Sequence, residues 1–182
     1  MRRHGFNSDA DGITQSLRED LGMEMRGESI LLLGAGGAGR VAALKIAATG
    51  VKELFLVNRT ASKAEAITTE IRDRFPAVQV QVGYPPAEVD LVLNATSLGL
   101  KPGDPLPFDP AAFSLGKSRA VYDMVYRPSV TPLLAAAAEA GCKTANGLGM
   151  LLHQGAKALE IWTGQAAPLD VMSAALKETI YE

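Results

Sequence analysis

At 182 residues, 47% of them apolar and 21% charged, the chain has the length and composition of one compact globular domain with a full core. Its net charge of −2 comes without a long basic run, which argues against a nucleic-acid partner, and no apolar stretch reaches the roughly 20 residues that span a bilayer. The basic start lacks the apolar core of a secretory signal, Cys142 has no internal disulfide partner, and two histidines with one cysteine make a metal site improbable, so the expectation is a cytoplasmic protein without metal.

In chain order, Ile13, Leu17 and Leu21 form one stripe of a short helix, with Asp9 and Asp11 at its acidic start and Gly22 as its stop. The apolar run 30–33 predicts a strand buried on both faces, followed by a small, Ala-rich helix over 37–49. Residues 54–57 predict a second buried strand. Residues 61–75 predict a helix with Ile67, Ile71 and Phe75 on one stripe. Two further strands are expected at 78–82 and 91–93, and then Pro102, Pro105, Pro107 and Pro110 forbid regular structure. A fifth strand at 120–122, a helix at 131–140, a long helix at 148–163 and a short closing helix complete the chain. Strand and helix are expected to alternate from residue 29 onward. That order predicts an α/β fold of Rossmann type, doubly wound, with a mostly parallel sheet and helices on both faces. The division expected is an N-terminal helical segment over 1–23 and a Rossmann domain with C-terminal helices over 24–182.

Gly34-Ala35-Gly36-Gly37-Ala38-Gly39 matches G-x-G-x-x-G between a predicted strand and a predicted helix, the context that a dinucleotide-binding turn requires. Gly34 permits the tight turn, Gly36 lets the backbone approach a pyrophosphate, and Gly39 lets the helix pack closely on the strand. The helix N-terminus adds amides and a positive dipole end for the anion. About 20 residues further on, NAD enzymes place an acid that takes the ribose 2′-hydroxyl. This chain instead has Asn58-Arg59-Thr60-Ala61-Ser62-Lys63. An acid would repel a 2′-phosphate, whereas Arg59 offers a planar donor fork and Lys63 a point charge. Thr60 reads as the cap of the next helix, whose free amides would meet the same phosphate. The cofactor expected is therefore NADP.

The glycine turn followed by Asn58-Arg59-Thr60-x-x-Lys63 resembles the cofactor signature of the shikimate dehydrogenase family, in which the last position is usually Arg. The likeness continues through Asn94-Ala95-Thr96-Ser97-x-Gly99, Tyr122-Asp123-Met124-Val125-Tyr126, Asn146-Gly147-Leu148-Gly149-Met150, His153-Gln154-Gly155-Ala156 and Trp162-Thr163-Gly164. Such a series, in order over most of the chain, is far more specific than any one motif. The resemblance implies that Met124 and Gly147 lie against the nicotinamide and that Tyr126 and Gln154 bind the substrate, a small hydroxylated carboxylic acid. A Tyr hydroxyl and a Gln amide both donate and accept hydrogen bonds, which suits that chemistry. Asn7-Ser8-Asp9 looks like the family's Asn-Thr-Asp, which makes Asp9 the candidate catalytic residue of a Lys–Asp pair; read from sequence alone, Asp9 is a helix cap.

The family's catalytic Lys belongs to an Asn-x-Thr-x-Pro-x-Lys segment, and these 182 residues contain none. The resemblance thus implies an upstream substrate domain in the full-length protein. By that reading the whole enzyme reduces 3-dehydroshikimate to shikimate with NADPH in aromatic amino acid biosynthesis, while this chain alone binds NADP and turns over poorly or not at all. The competing readings are a non-catalytic NADP-binding or regulatory module, a quinate dehydrogenase, and the NADP domain of glutamyl-tRNA reductase, which also ends a strand in Asn-Arg-Thr. The Asn-Gly-Leu-Gly-Met run and Gln154 speak against the last.

Overall fold

The computed structural model describes residues 8–181, with side chains from residue 11 onward. Six parallel strands form one sheet in the order β3-β2-β1-β4-β5-β6, with β1 Ser29–Leu33, β2 Glu53–Val57, β3 Gln79–Val82, β4 Val89–Asn94, β5 Ser118–Asp123 and β6 Lys143–Asn146. This is the doubly wound order, with its reversal between β1 and β4. The helices are α1 Ser8–Leu21, α2 Gly37–Ala48, α3 Ala61–Arg74, α4 Pro132–Glu139, α5 Leu148–Thr163 and α6 Leu169–Tyr181. No helix of the described residues is long and apolar enough to cross a membrane.

The strand sequences alternate between two cores, as the two-residue pleat demands. Ile30, Leu32, Leu54, Leu56, Leu91, Leu93, Ala120 and Tyr122 face one side. There they meet Ile13, Leu17 and Leu21 of α1, Ala42, Ala43 and Ile46 of α2, and Ala64, Ile67 and Ile71 of α3. Leu31, Leu33, Phe55, Val92 and Val121 face the other side, against Leu133, Leu134 and Ala137 of α4. The predicted stripe of α1 therefore joins the same core as the sheet.

Three expectations are corrected. Strand and helix do not alternate throughout: residues 83–88 join β3 to β4 with no helix. The face left bare there is covered by the proline-rich loop, whose Phe108 and Phe113, with Leu115, pack into the second core; Tyr84 stacks on Phe113 and accepts the Asp109 N–H at 2.8 Å. The sheet also has a sixth strand. Lys-Thr-Ala-Asn at β6 is a short, half-exposed edge with no apolar run to betray it, and it forms because β5 offers a free parallel edge. The closing helix, α6, is 13 residues long rather than short.

A chain of buried polar groups ties α1 to the sheet. Tyr122 is fully buried, its hydroxyl 2.7 Å from Ser16 Oγ, which donates to Asp20 at 2.6 Å. Burial holds the Tyr122 phenol well above its usual range, so it remains neutral. A Cβ at Gly149, in the first turn of α5, would crowd the side-chain oxygens of Asp20 and Ser16, so glycine there lets α5 lie against α1 without disturbing their bond.

A second buried cluster fastens the loops at the carboxyl ends of the strands. Asn94 and Asp123 are register partners on β4 and β5, and Asn94 Nδ2 donates to Asp123 Oδ1 at 2.8 Å. Asp123 Oδ1 also accepts the Val125 N–H at 3.0 Å, and Oδ2 accepts the Thr131 hydroxyl at 2.6 Å. Thr131 in turn caps α4 through the Leu134 N–H. Asn94 Oδ1 takes both the N–H and the hydroxyl of Thr96. Burial raises the Asp123 carboxyl above the usual carboxylate range, against the pull of the bonds from Thr131, Val125 and Asn94.

Asp123→Ala leaves three buried donors without an acceptor and should cost about 3 kcal/mol in chemical unfolding. Asp123→Asn keeps an acceptor for Asn94 and Val125 and can donate to Thr131, so it should stay within about 1 kcal/mol of wild type. Because the folded-state pKa lies above the unfolded one, the stability Asp123 contributes is full below the unfolded value and is lost as pH rises through the folded value. The stability of Asp123→Asn relative to wild type should therefore grow with pH across that window; a flat difference would refute the assignment.

Candidate functional site

The parallel register aligns Val57, Leu33, Asn94, Asp123 and Asn146 as one row across the carboxyl ends of five strands. One residue beyond that row stand Asn58, Gly34, Ala95, Met124 and Gly147. Sheet-like bonding persists for this extra step: Gly34 donates to Val57, Ala95 to Leu33 and Met124 to Asn94, all at 2.8–2.9 Å. The predicted cofactor residues are thus gathered at one edge, over the strand-order reversal.

Within the glycine turn the residues divide by task. Gly34 has a φ of +104°, and a Cβ there would press on Thr96 and Ala95 at 2.9–3.0 Å. A Cβ at Gly39 would overlap the Gly34 carbonyl, so this glycine sets the closeness of α2 to β1. The Ala35 N–H is taken by Asn58 Oδ1 at 3.0 Å, and Asn58 Nδ2 donates to the Thr60 carbonyl at 2.9 Å. Asn58 therefore braces the turn against the end of β2. Gly36, Gly37 and Ala38 are exposed. Their amides have no acceptor among the described residues, and a Cβ at Gly36 or Gly37 would meet open space. This open space above free amides at the N-terminus of α2 suits an anion.

At the end of β2, Arg59 and Lys63 are exposed and make no ion pair with any described residue. Thr60 occupies the cap position of α3, but its hydroxyl makes no capping bond. The expected cap is present in place and absent in bonding, which leaves the first amides of α3 open beside Arg59 and Lys63.

A cleft of about 1410 Å³ runs from Gly36, Gly37 and Ala38 past Thr96 and Ser97 to Met124 and Tyr126. Among the described residues that line it are Lys101 and Arg127, and no Asp, Glu or His. Gly147 lies behind Met124: a Cβ there would overlap the Met124 carbonyl, so Gly147 lets the start of α5 press against the loop after β5.

The predicted substrate residues are not brought together in one wall. Tyr126 lines the cleft, at the border of exposure. Gln154 is half-buried on α5, its backbone N and Cβ 3.3 and 3.5 Å from the position a Cβ on Gly12 would take, and it does not line the cleft. Asp9 lies in the first turn of α1, and its side chain falls outside those the structure describes. Sequence reasoning missed Lys101, Arg127 and the last turn of α6, all of which line the cleft. No motif signals them, because they reach the site by loop and helix geometry.

Comparison with known proteins agrees with this arrangement. Residues 16–99 match the sequence profile described as shikimate / quinate 5-dehydrogenase, and residues 147–177 match that of the shikimate 5′-dehydrogenase C-terminal domain. A shikimate dehydrogenase (NADP(+)) of Methanopyrus kandleri is 36% identical over 181 residues, covering 96% of this chain and 62% of the relative. A crystal structure of a shikimate dehydrogenase in complex with NADP+ superposes with a TM-score of 0.83 at 32% identity, over 98% of this chain and 63% of the other. Ligand-free 5-ketofructose reductase of Gluconobacter sp. strain CHM43 superposes with a TM-score of 0.81 at 33% identity, over 95% and 63%. The chain spans about 62% of the length of such curated relatives. With both profiles in register with the glycine turn and the Gly147–Met150 run, the chain belongs to the shikimate dehydrogenase family.

Proposed function

We propose that this chain is the NADP-binding part of a shikimate dehydrogenase, which reduces 3-dehydroshikimate to shikimate with NADPH in aromatic amino acid biosynthesis. The observation that carries the reading is the cleft that leaves the free amides of Gly36, Gly37 and Ala38, with cations and, among the described residues, no carboxylate on its wall. An anionic dinucleotide meets donors and positive charge along its length there.

In this reading the three free amides hold the pyrophosphate. Arg59, Lys63 and the open amides of α3 hold the 2′-phosphate, while Asn58 and Thr60 shape that corner. Gly34 and Ala35 set the turn itself, and Met124 and Gly147 flank the nicotinamide. The cofactor supplies hydride chemistry when bound. The residues of this chain bind it and orient it, and Tyr126 and Gln154 offer donors and acceptors to a hydroxylated acid. Asp9 would take part in the proton step with a lysine on a substrate domain, a partner that residues 1–23 would join to the Rossmann domain of residues 24–182. The reading places the protein in the cytoplasm.

Arg59→Ala should weaken NADP+ binding about tenfold to a hundredfold in calorimetry, the worth of one charge-assisted contact. NAD+ binding should stay within about twofold. Equal losses for both cofactors would remove Arg59 from the 2′-phosphate.

Mixed with shikimate and NADP+, these 182 residues should bind the cofactor yet form NADPH far below an ordinary enzyme rate of about 1 per second, followed by absorbance. Turnover at or above that rate would mean that the chain handles the proton unaided.

A further inference from the structure

We propose that Tyr181, in the last turn of α6, is a positioning residue that closes the nicotinamide end of the cleft; this rests on the dinucleotide reading above. Thr179, Ile180 and Tyr181 line the large cleft together with Met124, Tyr126, Arg127 and Ser129. Tyr181 also lines a second, smaller pocket of about 420 Å³ bounded by Asn146, Leu148, Gly149 and His153. Tyr181 therefore forms part of the partition between two spaces.

The partition is held at a defined point. Asn146 Nδ2 donates to Tyr181 Oη at 2.9 Å and to the Ser129 carbonyl at 2.9 Å. Asn146 Oδ1 accepts the Leu148 N–H at 3.0 Å, which fixes the amide at the start of α5. Asn146 thus joins α6, the loop after β5 and α5, one residue before Gly147, against which the Met124 carbonyl packs. α6 contributes no buried residue to the fold, so its apolar character is not spent on the core. Tyr181 is 40% exposed, which leaves part of its ring free toward the cleft. An aromatic side chain that lines the same cleft as Met124 would confine a flat heteroaromatic ring to one plane, which is the condition for hydride exchange at one face.

The test compares two ligands on wild type, Tyr181→Phe and Tyr181→Ala by calorimetry. In the dinucleotide reading NADP+ runs from the Arg59 corner into the cleft, whereas adenosine 2′,5′-bisphosphate occupies only the Arg59 corner, which lies outside the cleft lining. Tyr181→Ala should weaken NADP+ about threefold to tenfold, the worth of one aromatic contact, and leave the bisphosphate unchanged. Tyr181→Phe keeps the ring and loses the tether, so its loss should be smaller. The emission of bound NADPH, which reports on the surroundings of the reduced ring, should shift in the Ala variant. NADP+ binding unchanged in Tyr181→Ala, or both ligands weakened alike, overturns the proposal and leaves the dinucleotide reading standing. Wild type that binds neither ligand overturns both.

Discussion

Asn94 and Asp123 sit opposite each other at the buried carboxyl ends of β4 and β5, where only protein groups can satisfy them. A buried amide and a buried carboxyl in such a place must be bonded or the fold loses several kcal/mol, roughly the margin on which a domain stands. Their mutual bond leaves each with further capacity, and all of it goes to the loops: Thr96 and Leu98 on one side, Val125 and Thr131 on the other. The loops after β4 and β5 and the start of α4 are consequently anchored from beneath. The shape of the cleft is thus set by polar groups inside the sheet edge, with no need for the exposed residues of the loops to find their own conformation.

The glycines of the site follow two different logics. Gly34, Gly39, Gly147 and Gly149 are places where one backbone touches another or meets a packed side chain, and a methyl group would force the elements apart. These glycines make the architecture: α2 close on β1, and α5 close on the loop after β5 and on α1. Gly36 and Gly37 have nothing above them, so packing does not explain their lack of a side chain. Their backbone amides have no acceptor among the described residues. The same six-residue turn thus contains packed and open glycines, and only their surroundings in the fold separate them.

Where the sequence was legible, a single physical pattern dominated. Ile30, Leu31, Leu32 and Leu33 divide between two cores, so an unbroken apolar run could only be a central strand. The glycine turn and the acid-free end at Asn58 and Arg59 are likewise local, and the structure sets them side by side through the bond from Ala35 to Asn58. The unread parts are those decided by neighbours. β6 has no apolar signal because it lies at an edge, and its existence follows from the free side of β5. The direct succession of strands at 78–82 and 91–93 was legible, but that Phe108 and Phe113, far along the chain, cover the face left there was not. Tyr181 reaches the cleft only because α6 returns along α5, a direction no periodicity encodes.

The charge on the cleft wall bears on what this part of the family contributes to catalysis. Oxidation of an alcohol by hydride transfer releases a proton, and an efficient enzyme places a base within hydrogen-bond reach of it. Among the described residues the lining offers Lys101, Arg127, Tyr126 and Tyr181, and no carboxylate or imidazole. Asp123 is close in sequence to Met124 but lies sealed beneath the loop, its oxygens committed to Asn94, Val125 and Thr131. An acid placed on the wall would help the proton step and at the same time repel a polyanionic cofactor. In the proposed reading the two tasks are separate, with cations on the described wall for the dinucleotide and the proton-handling groups on another element, and that separation would remove the conflict.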